Sequence, residues 1–361
     1  MITEGCLLRL KRHIVTEITE IFLAVIISLI LIMISFQFAK LLSEAAAGKI
    51  VGNAIFQLVG LQTVNLFVLL TPFAFFVSIL IGLTKLATDN ELIAMKSVGY
   101  GDTKTYQALF VVAIPLAAVI LFLTLIVLPK VLSLSYQLKD RARKESELSV
   151  IQPGNFRNIG GNTTIFVADI DDKQFSKFFV WQRHKGEESI TVAKAGKQVE
   201  KDGERYVELD SGSRYSWSKD NSYLMLFENF LGLLPKIQTT TRAEKLKSVP
   251  TATLLANPTL ANRVEFQRRL TPAISILLLA LCAPLLVQFN PRENRYGKFV
   301  IAILIYALYS NTQIIFQTLT LKQHLPVFLG VYTSHLLFFS GCLLLILHKN
   351  YAYLPFRLGG R

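Results

Sequence analysis

The sequence predicts an α-helical membrane protein with six transmembrane helices and an all-β domain (a sandwich, jelly roll or open barrel) inserted on the outer side between the third and fourth. Three observations predict it. Of 361 residues, 52% are apolar and only 17% are charged, against about 25% charged in an ordinary soluble domain. Six apolar segments approach the roughly 20 residues needed to cross hydrocarbon. Between the third and fourth of these, the helical period gives way to short β-rich runs. A cytoplasmic globular enzyme, a disordered regulator and a disulfide-built secreted scaffold are all excluded by this composition.

The apolar segments fall at 18–39, 57–83, 106–128, 271–289, 299–319 and 326–347. The first follows Arg9, Lys11 and Arg12, as a signal peptide would. Ile18–Phe38 is longer than a signal core, however, and no small-residue cleavage site follows it, so it reads as a mature helix. Pro72, Pro115 and Pro284 lie inside spans, where neighbouring helices satisfy the freed carbonyls. Orientation follows from Lys and Arg in the short flanks. With the N-terminus inside, the cytoplasmic flanks hold Arg9, Lys11, Arg12, Lys85, Lys96, Lys104, Arg292, Arg295, Lys298, Lys349, Arg357 and Arg361. The opposite flanks hold only Lys40, Lys49 and Lys322. Both termini are therefore expected in the cytoplasm. Residues 1–129 carry helices 1–3 with a short cytoplasmic helix near 88–98, 130–269 the outer β-domain with helical connectors, and 270–361 helices 4–6 with a cytoplasmic tail.

The insertion opens with a charged helical stretch, Tyr136–Glu147, that extends the third span. From Val150 the expected strands are Thr163–Ala168, Phe175–Trp181, Ser189–Ala193, Arg205–Leu209, Ser213–Trp217 and Tyr223–Phe227. Gly160-Gly161, Asp171-Asp172, Lys185-Gly186, Asp202-Gly203 and Lys219-Asp220-Asn221 separate them as turns. Short strands so punctuated indicate a sandwich, jelly roll or open barrel. Most of its aromatics are ordinary core, but an inner face of this kind also suits an apolar groove for a lipid chain.

Candidate chemistry is sparse. There is no HExxH, no GxSxG and no Walker sequence, and the five histidines are scattered. Cys6, Cys282 and Cys342 lie in or beside apolar segments and read as packing residues. Neither a metal nor any other cofactor is expected in this chain. The net charge of +13 includes no basic run with interleaved aromatics, so nucleic acid is not an expected partner. Ser97-Val98-Gly99-Tyr100-Gly101-Asp102 is close to a potassium-filter string. The stretch before it, Thr88 to Lys96, is charged and cytoplasmic, which does not suit a pore helix.

That same stretch suits a short amphipathic helix. Thr88 or Asp89 would cap it, Leu92, Ile93 and Met95 would form its apolar side, and Gly99 would stop it. Placed between two spans, such a helix fits a groove on a separate motor subunit; the plainer alternative is a helix lying on lipid. Lys40, at the outer end of the first span, either snorkels to headgroups or pairs with an anionic lipid phosphate.

With these parts the chain resembles the LptF/LptG permease family, the transmembrane part of the exporter that extracts lipopolysaccharide from the Gram-negative inner membrane. The most specific piece lies within Gly82–Gly99, where Leu86, Asp89, Glu91, Leu92, Met95 and Gly99 fit the spacing and Thr84 stands at the first glycine. It is similar to the family's G-x-L-x-x-D/E-x-E-[IL]-x-x-[ML]-x-x-x-G stretch. Leu128-Pro129, Pro153-Gly154-Asn155-Phe156 and Glu265-Phe266-Gln267-Arg268-Arg269-Leu270 support it. Phe67-Val68-Leu69-Leu70-Thr71-Pro72-Phe73 and Ile93-Ala94-Met95-Lys96-Ser97-Val98-Gly99 look more like the LptF branch.

The resemblance implies specific roles. Glu91 would dock on the ATPase LptB dimer, with Asp89, Leu92 and Met95 beside it. Lys40 would contact lipid A phosphates, and Gln37 stands where a second basic residue is common. Phe156, Phe166, Phe179 and Trp217 would line a groove in a periplasmic jelly roll. The partners implied are the LptB dimer, which binds ATP and magnesium, the paralogous permease LptG, LptC and LptA-type periplasmic proteins, lipopolysaccharide and membrane lipid. A permease for another lipid, lipoprotein or peptide, or a membrane-anchored periplasmic sensor, is the competing expectation.

Overall fold

The computed structural model describes residues 4–46, 54–148, 154, 156–159, 162–171, 174–184, 187–201, 204–218, 221–233, 246–287 and 295–352. Lys49, Pro153, Asn155, Gly160-Gly161, Asp172, Lys185-Gly186, Asp202-Gly203, Lys219-Asp220, Arg292, Arg357 and Arg361 lie outside these, as do the side chains of Cys6, Arg295, Lys298 and Lys349. The chain divides into two compact units, one of residues 1–39, 56–135 and 243–361, the other of 40–55 and 136–242.

The first unit is helical. Its elements are α1 (Glu4–Ala46), α2 (Ala54–Thr88), α3 (Glu91–Ser97), α4 (Asp102–Phe122), a π-helical turn (Leu123–Val127) leading into α5 (Leu128–Leu148), α6 (Thr251–Ala256), α7 (Leu260–Val287), α8 (Arg295–Leu321) and α9 (Tyr332–Ala352), except that residues 40–46 of α1, 54–55 of α2 and 136–148 of α5 belong to the second unit. Five of these stretches are long and apolar enough to cross a membrane: Leu8–Ala46, Ala54–Thr88, Asp102–Ala142, Leu260–Val287 and Phe299–Leu321. The apolar part of α9, Tyr332–Leu347, is shorter. The most apolar windows of α2 and α7 are 67% and 61% buried, whereas those of α1 and α8 are each 11% buried. So α2 and α7 form the centre of the unit, and α1 and α8 present open apolar faces. Cys282 and Cys342 are buried free thiols.

Polar stitches hold the bundle together. The Tyr309 hydroxyl lies 3.0 Å from Ser275 Oγ and 2.7 Å from His335 Nδ1, tying α7, α8 and α9. In an apolar surrounding such interhelical hydrogen bonds have few competitors. A second hub sits at the start of α7. Arg269 donates to Glu265 Oε1 (3.2 Å), Thr251 Oγ1 (2.7 Å) and the carbonyls of Lys247 (3.2 Å) and Val249 (2.7 Å). Arg268 clamps the same carboxylate through two bonds of 2.7 and 2.6 Å. Thr251 in turn donates to the Leu125 carbonyl in the π-turn, where the regular helical ladder is interrupted.

The sixth apolar segment was expected from 326, but α9 begins at Tyr332. Gln267 explains the delay: its Nε2 donates to the Val327 carbonyl (2.5 Å) and its Oε1 accepts from Val331 N–H (3.2 Å). This pins Pro326–Val331 as a turn, and Gly330 within it has φ +29°.

The second unit holds one antiparallel sheet in the order β1-β2-β3-β4-β5-β6: Arg157–Ile159, Thr163–Asp171, Gln174–His184, Glu187–Lys201, Glu204–Trp217 and Ser222–Leu233. The described strands connect only as consecutive hairpins, so the Greek-key crossover of a jelly roll is not part of this sheet. Two to four residues separate successive strands, which is enough for a hairpin and too little for a crossover. Arg205–Leu209 and Ser213–Trp217, expected as two strands, are one. What looked like a break is a crease. Ala168, Lys177, Lys194, Ser211 and Glu228 are skipped in successive ladders, and Lys177 and Ser211 both have φ +50°. Gly212, beside it, has no room for a side chain, because a Cβ there would sit 2.6 Å from the Phe227 ring. One face of the sheet buries Ile165, Val167, Phe175, Phe178, Val180, Ala193, Val207 and Leu209.

Candidate functional site

The first candidate site is the corner between α2 and α4. Helix α2 continues through Thr88, whose hydroxyl donates back to the Thr84 carbonyl at 2.8 Å. Thr88 and Asp89 thus lie before the N-cap position of α3. Asn90 takes that position, with φ 59° and no side-chain cap, a left-handed conformation that asparagine tolerates better than most residues. The far end is as expected. Gly99 has φ +84°, its N–H donates to the Lys96 carbonyl (3.0 Å), and Tyr100 N–H donates to Met95 (2.9 Å). These are the two bonds of a Schellman stop.

Met95 and Tyr100, the two ends of that motif, are buried together at 5% and 2% exposure. The Tyr100 hydroxyl donates to the Lys104 carbonyl at 3.1 Å, and burial pushes its pKa up. Met95 thus anchors α3 inward. Asp89 and Ile93 are exposed, and Glu91 and Leu92 are half-buried. The outward surface of α3 therefore combines carboxylates with an apolar patch at Ile93.

One hydrogen-bonded histidine–carboxylate pair and two ion pairs frame this corner. His13 Nε2 lies 2.8 Å from Glu91 Oε2, Lys85 Nζ lies 2.5 Å from Glu17 Oε1, and Lys96 Nζ lies 2.8 Å from Asp102 Oδ1. Sequence reasoning missed His13 and Glu17. Their i, i+4 spacing puts both on one face of α1, but the partners are 78 and 68 residues away. Only the tertiary fold shows them.

The second candidate lies one helix length away on α1. Lys40 is exposed and Gln37, one turn earlier, is half-buried. Among the described residues Lys40 has no ion-pair partner. The third candidate is an open groove of about 820 Å³ along the crease of the sheet. Phe166, Phe179, Val192, Ser213 and Leu226 are successive register partners across five strands, so their side chains share a face. Phe156 stacks on Phe166 at 4.6 Å and meets Phe179 edge-on at 5.8 Å. Lys177 and Lys194 edge the groove. The structure thus brings Phe156, Phe166 and Phe179 together. It does not bring Trp217 to them: Trp217 stacks on Tyr215 at 5.5 Å and is not part of the groove lining.

A helical unit with several apolar spans, a short helix exposed at a corner between two of them, and an inserted antiparallel sheet with an apolar groove define a membrane permease with an added soluble domain. Residues 12–348 match the family described as lipopolysaccharide export system permease LptF/LptG, and the chain belongs to that family. It is a permease subunit of lipopolysaccharide export. It is similar to the lipopolysaccharide export system permease protein LptF of Escherichia coli K12, with 24% identity over 341 residues, 92% of this chain and 93% of the relative. The LptF protein of Shigella flexneri matches at the same identity and coverage.

Proposed function

We propose that this chain is the LptF-type half of an ABC exporter that lifts lipopolysaccharide out of the outer leaflet of the bacterial inner membrane. In this reading α9 is the sixth span, both termini are cytoplasmic, and the sheet belongs to a periplasmic jelly-roll domain. The observation that carries the reading is the burial contrast. Helices α1 and α8 are 11% buried in their most apolar windows while α2 and α7 exceed 60%. Lipid covers apolar helix faces in a bilayer, and in this reading part of that cover on α1 and α8 is a paralogous LptG permease, with a cavity for acyl chains between the two.

Acyl chains do not leave a bilayer unaided, since each CH₂ taken into water costs about 0.8 kcal/mol. The exporter therefore has to offer a continuous apolar path and an energy source. The exposed faces of α1 and α8 supply the start of the path, and the Phe156–Phe166–Phe179 groove supplies the next station, before LptC and LptA-type proteins. Lys40 marks the level of the lipid phosphates. The energy comes from a dimeric ATPase of the LptB type, which holds ATP and magnesium and docks on α3 through Glu91, Asp89 and Ile93. Leu92 and Met95 fix the helix from behind.

Lys40→Asp tests the cargo end of this path. In the exporter reconstituted with its ATPase, the substitution is expected to lower lipopolysaccharide-stimulated ATP hydrolysis several-fold and basal hydrolysis far less. A charge-assisted contact of this kind contributes about 1.5–3 kcal/mol. An equal fall in both rates would make Lys40 structural and remove it from cargo recognition.

A further inference from the structure

We infer that His13 is a positioning residue that locks the coupling helix α3 to the first helix, so that the two respond to the motor as one lever. The inference rests on the reading of α3 as the motor-docking helix. Its starting observation is the pair of rungs between α1 and the α2–α3 corner, His13–Glu91 at 2.8 Å and Glu17–Lys85 at 2.5 Å. The rungs run in opposite senses. Nitrogen donates from α1 in the first, and carboxylate accepts on α1 in the second. A register shift that set Glu17 against Glu91 would bring like charges together, so the pairs select one alignment of the corner on α1. Exposed pairs add little to stability, but they define register.

Three further features make this tie the route of force. Beneath the rungs, Ile14 and Ile18 are fully buried. Gly82 lets α2 approach so closely that a Cβ there would meet Ile18 Cγ1 at 3.2 Å. At both ends of α3 the backbone turns sharply, since Asn90 at one end and Gly99 at the other have positive φ. Helix α1 itself is an unbroken run of 43 residues without proline, whereas α2, α4 and α7 each contain at least one. A push on α3 held by His13 is therefore passed to α1, a helix with no proline break. Glu91 can serve both contacts at once, because Oε2 faces His13 while Oε1 has no hydrogen-bond partner among the described residues.

The test uses the whole exporter in proteoliposomes containing lipopolysaccharide, and reads lipid extracted per ATP hydrolysed together with ATPase retention on purification. His13 is half exposed, so replacing it leaves the packing intact. His13→Ala is expected to lower extraction per ATP about five-fold or more, the smallest coupling loss typical of a broken link between sites, with the ATPase retained. His13→Gln, which still donates to Glu91, restores it, and His13→Glu, which repels Glu91, does not. Glu17→Lys lowers the ratio in the same way, and the swap Glu17→Lys with Lys85→Glu recovers it. A merely structural role would not follow donor chemistry or recover on charge exchange. If Glu91→Lys abolishes extraction while His13→Ala and Glu17→Lys extract normally per ATP, the lever is overturned and the docking reading stands. If Glu91→Lys also extracts normally, the docking reading itself falls.

Discussion

Glu91→Lys is expected to abolish lipopolysaccharide export while leaving the chain folded. Glu91 is the first residue of α3, its side chain is 43% exposed, and its carboxylate engages His13 through one oxygen. A basic group on the motor would complete a charge-assisted contact worth about 1.5–3 kcal/mol. Lysine removes that contact and replaces it with repulsion, so the expected loss of docking is at least about 10–100-fold. Little of the fold depends on the carboxylate, because Met95, Tyr100 and the Gly99 stop hold α3 in place. The check is complementation of cells depleted of their own copy, combined with ATPase retention on the purified variant. Glu91→Gln keeps an acceptor without the charge and is expected to fall between. Normal export by Glu91→Lys would remove this residue from the mechanism.

The largest effect on stability is expected from Arg269→Ala. The Arg269 side chain is 2% exposed and satisfies four acceptors on three pieces of the chain: Glu265, Thr251 and the carbonyls of Lys247 and Val249. Its removal leaves Glu265, itself 4% exposed, with half of its cationic shell and strands two carbonyls. Breaking a buried pair from one side costs about 3–5 kcal/mol, a large part of the roughly 5–15 kcal/mol that holds a domain folded. Thermal unfolding in detergent should show Tm falling by about 10 °C. Arg269→Lys is expected to recover only a minority of that, since a compact ammonium cannot reach four acceptors spread as a planar fork. A Tm within about 2 °C of the unchanged protein would show that the hub contributes little.

What could be read in the sequence follows from what is local. A span is a property of some 20 neighbouring residues, so the apolar segments at 18–39, 57–83, 106–128 and 299–319, and the described residues 271–287 of the segment at 271–289, lie in helices of the structure. Gly99 as a stop was legible for the same reason: the demand for positive φ is carried by one residue. Legibility ended where a distant partner decides. Asn90 rather than Thr88 or Asp89 precedes α3 because α2 packs one turn further than its apolar run, and α9 starts late because Gln267 holds Pro326–Val331 from another helix. The run Arg205–Trp217 reads as two strands with a break between Leu209 and Ser213. It is a crease because the strands on both sides supply matching skipped positions, and no single strand carries that information. The aromatic trio of the groove was legible as residues and not as a neighbourhood, which is why Trp217 was grouped with it and lies elsewhere. The rungs from His13 and Glu17 left no trace in sequence beyond an i, i+4 spacing common to many helices.

The central claim is that this chain is one half of a gate for lipopolysaccharide, driven by an ATPase it does not itself contain. The most direct measurement is native mass spectrometry of the complex purified through this chain from its own membrane. The account predicts a particle holding this chain, one second multi-span permease and two copies of an ATPase, with lipopolysaccharide bound. A particle in which this chain occurs without any nucleotide-hydrolysing subunit, or whose bound lipid is only ordinary phospholipid, would contradict it.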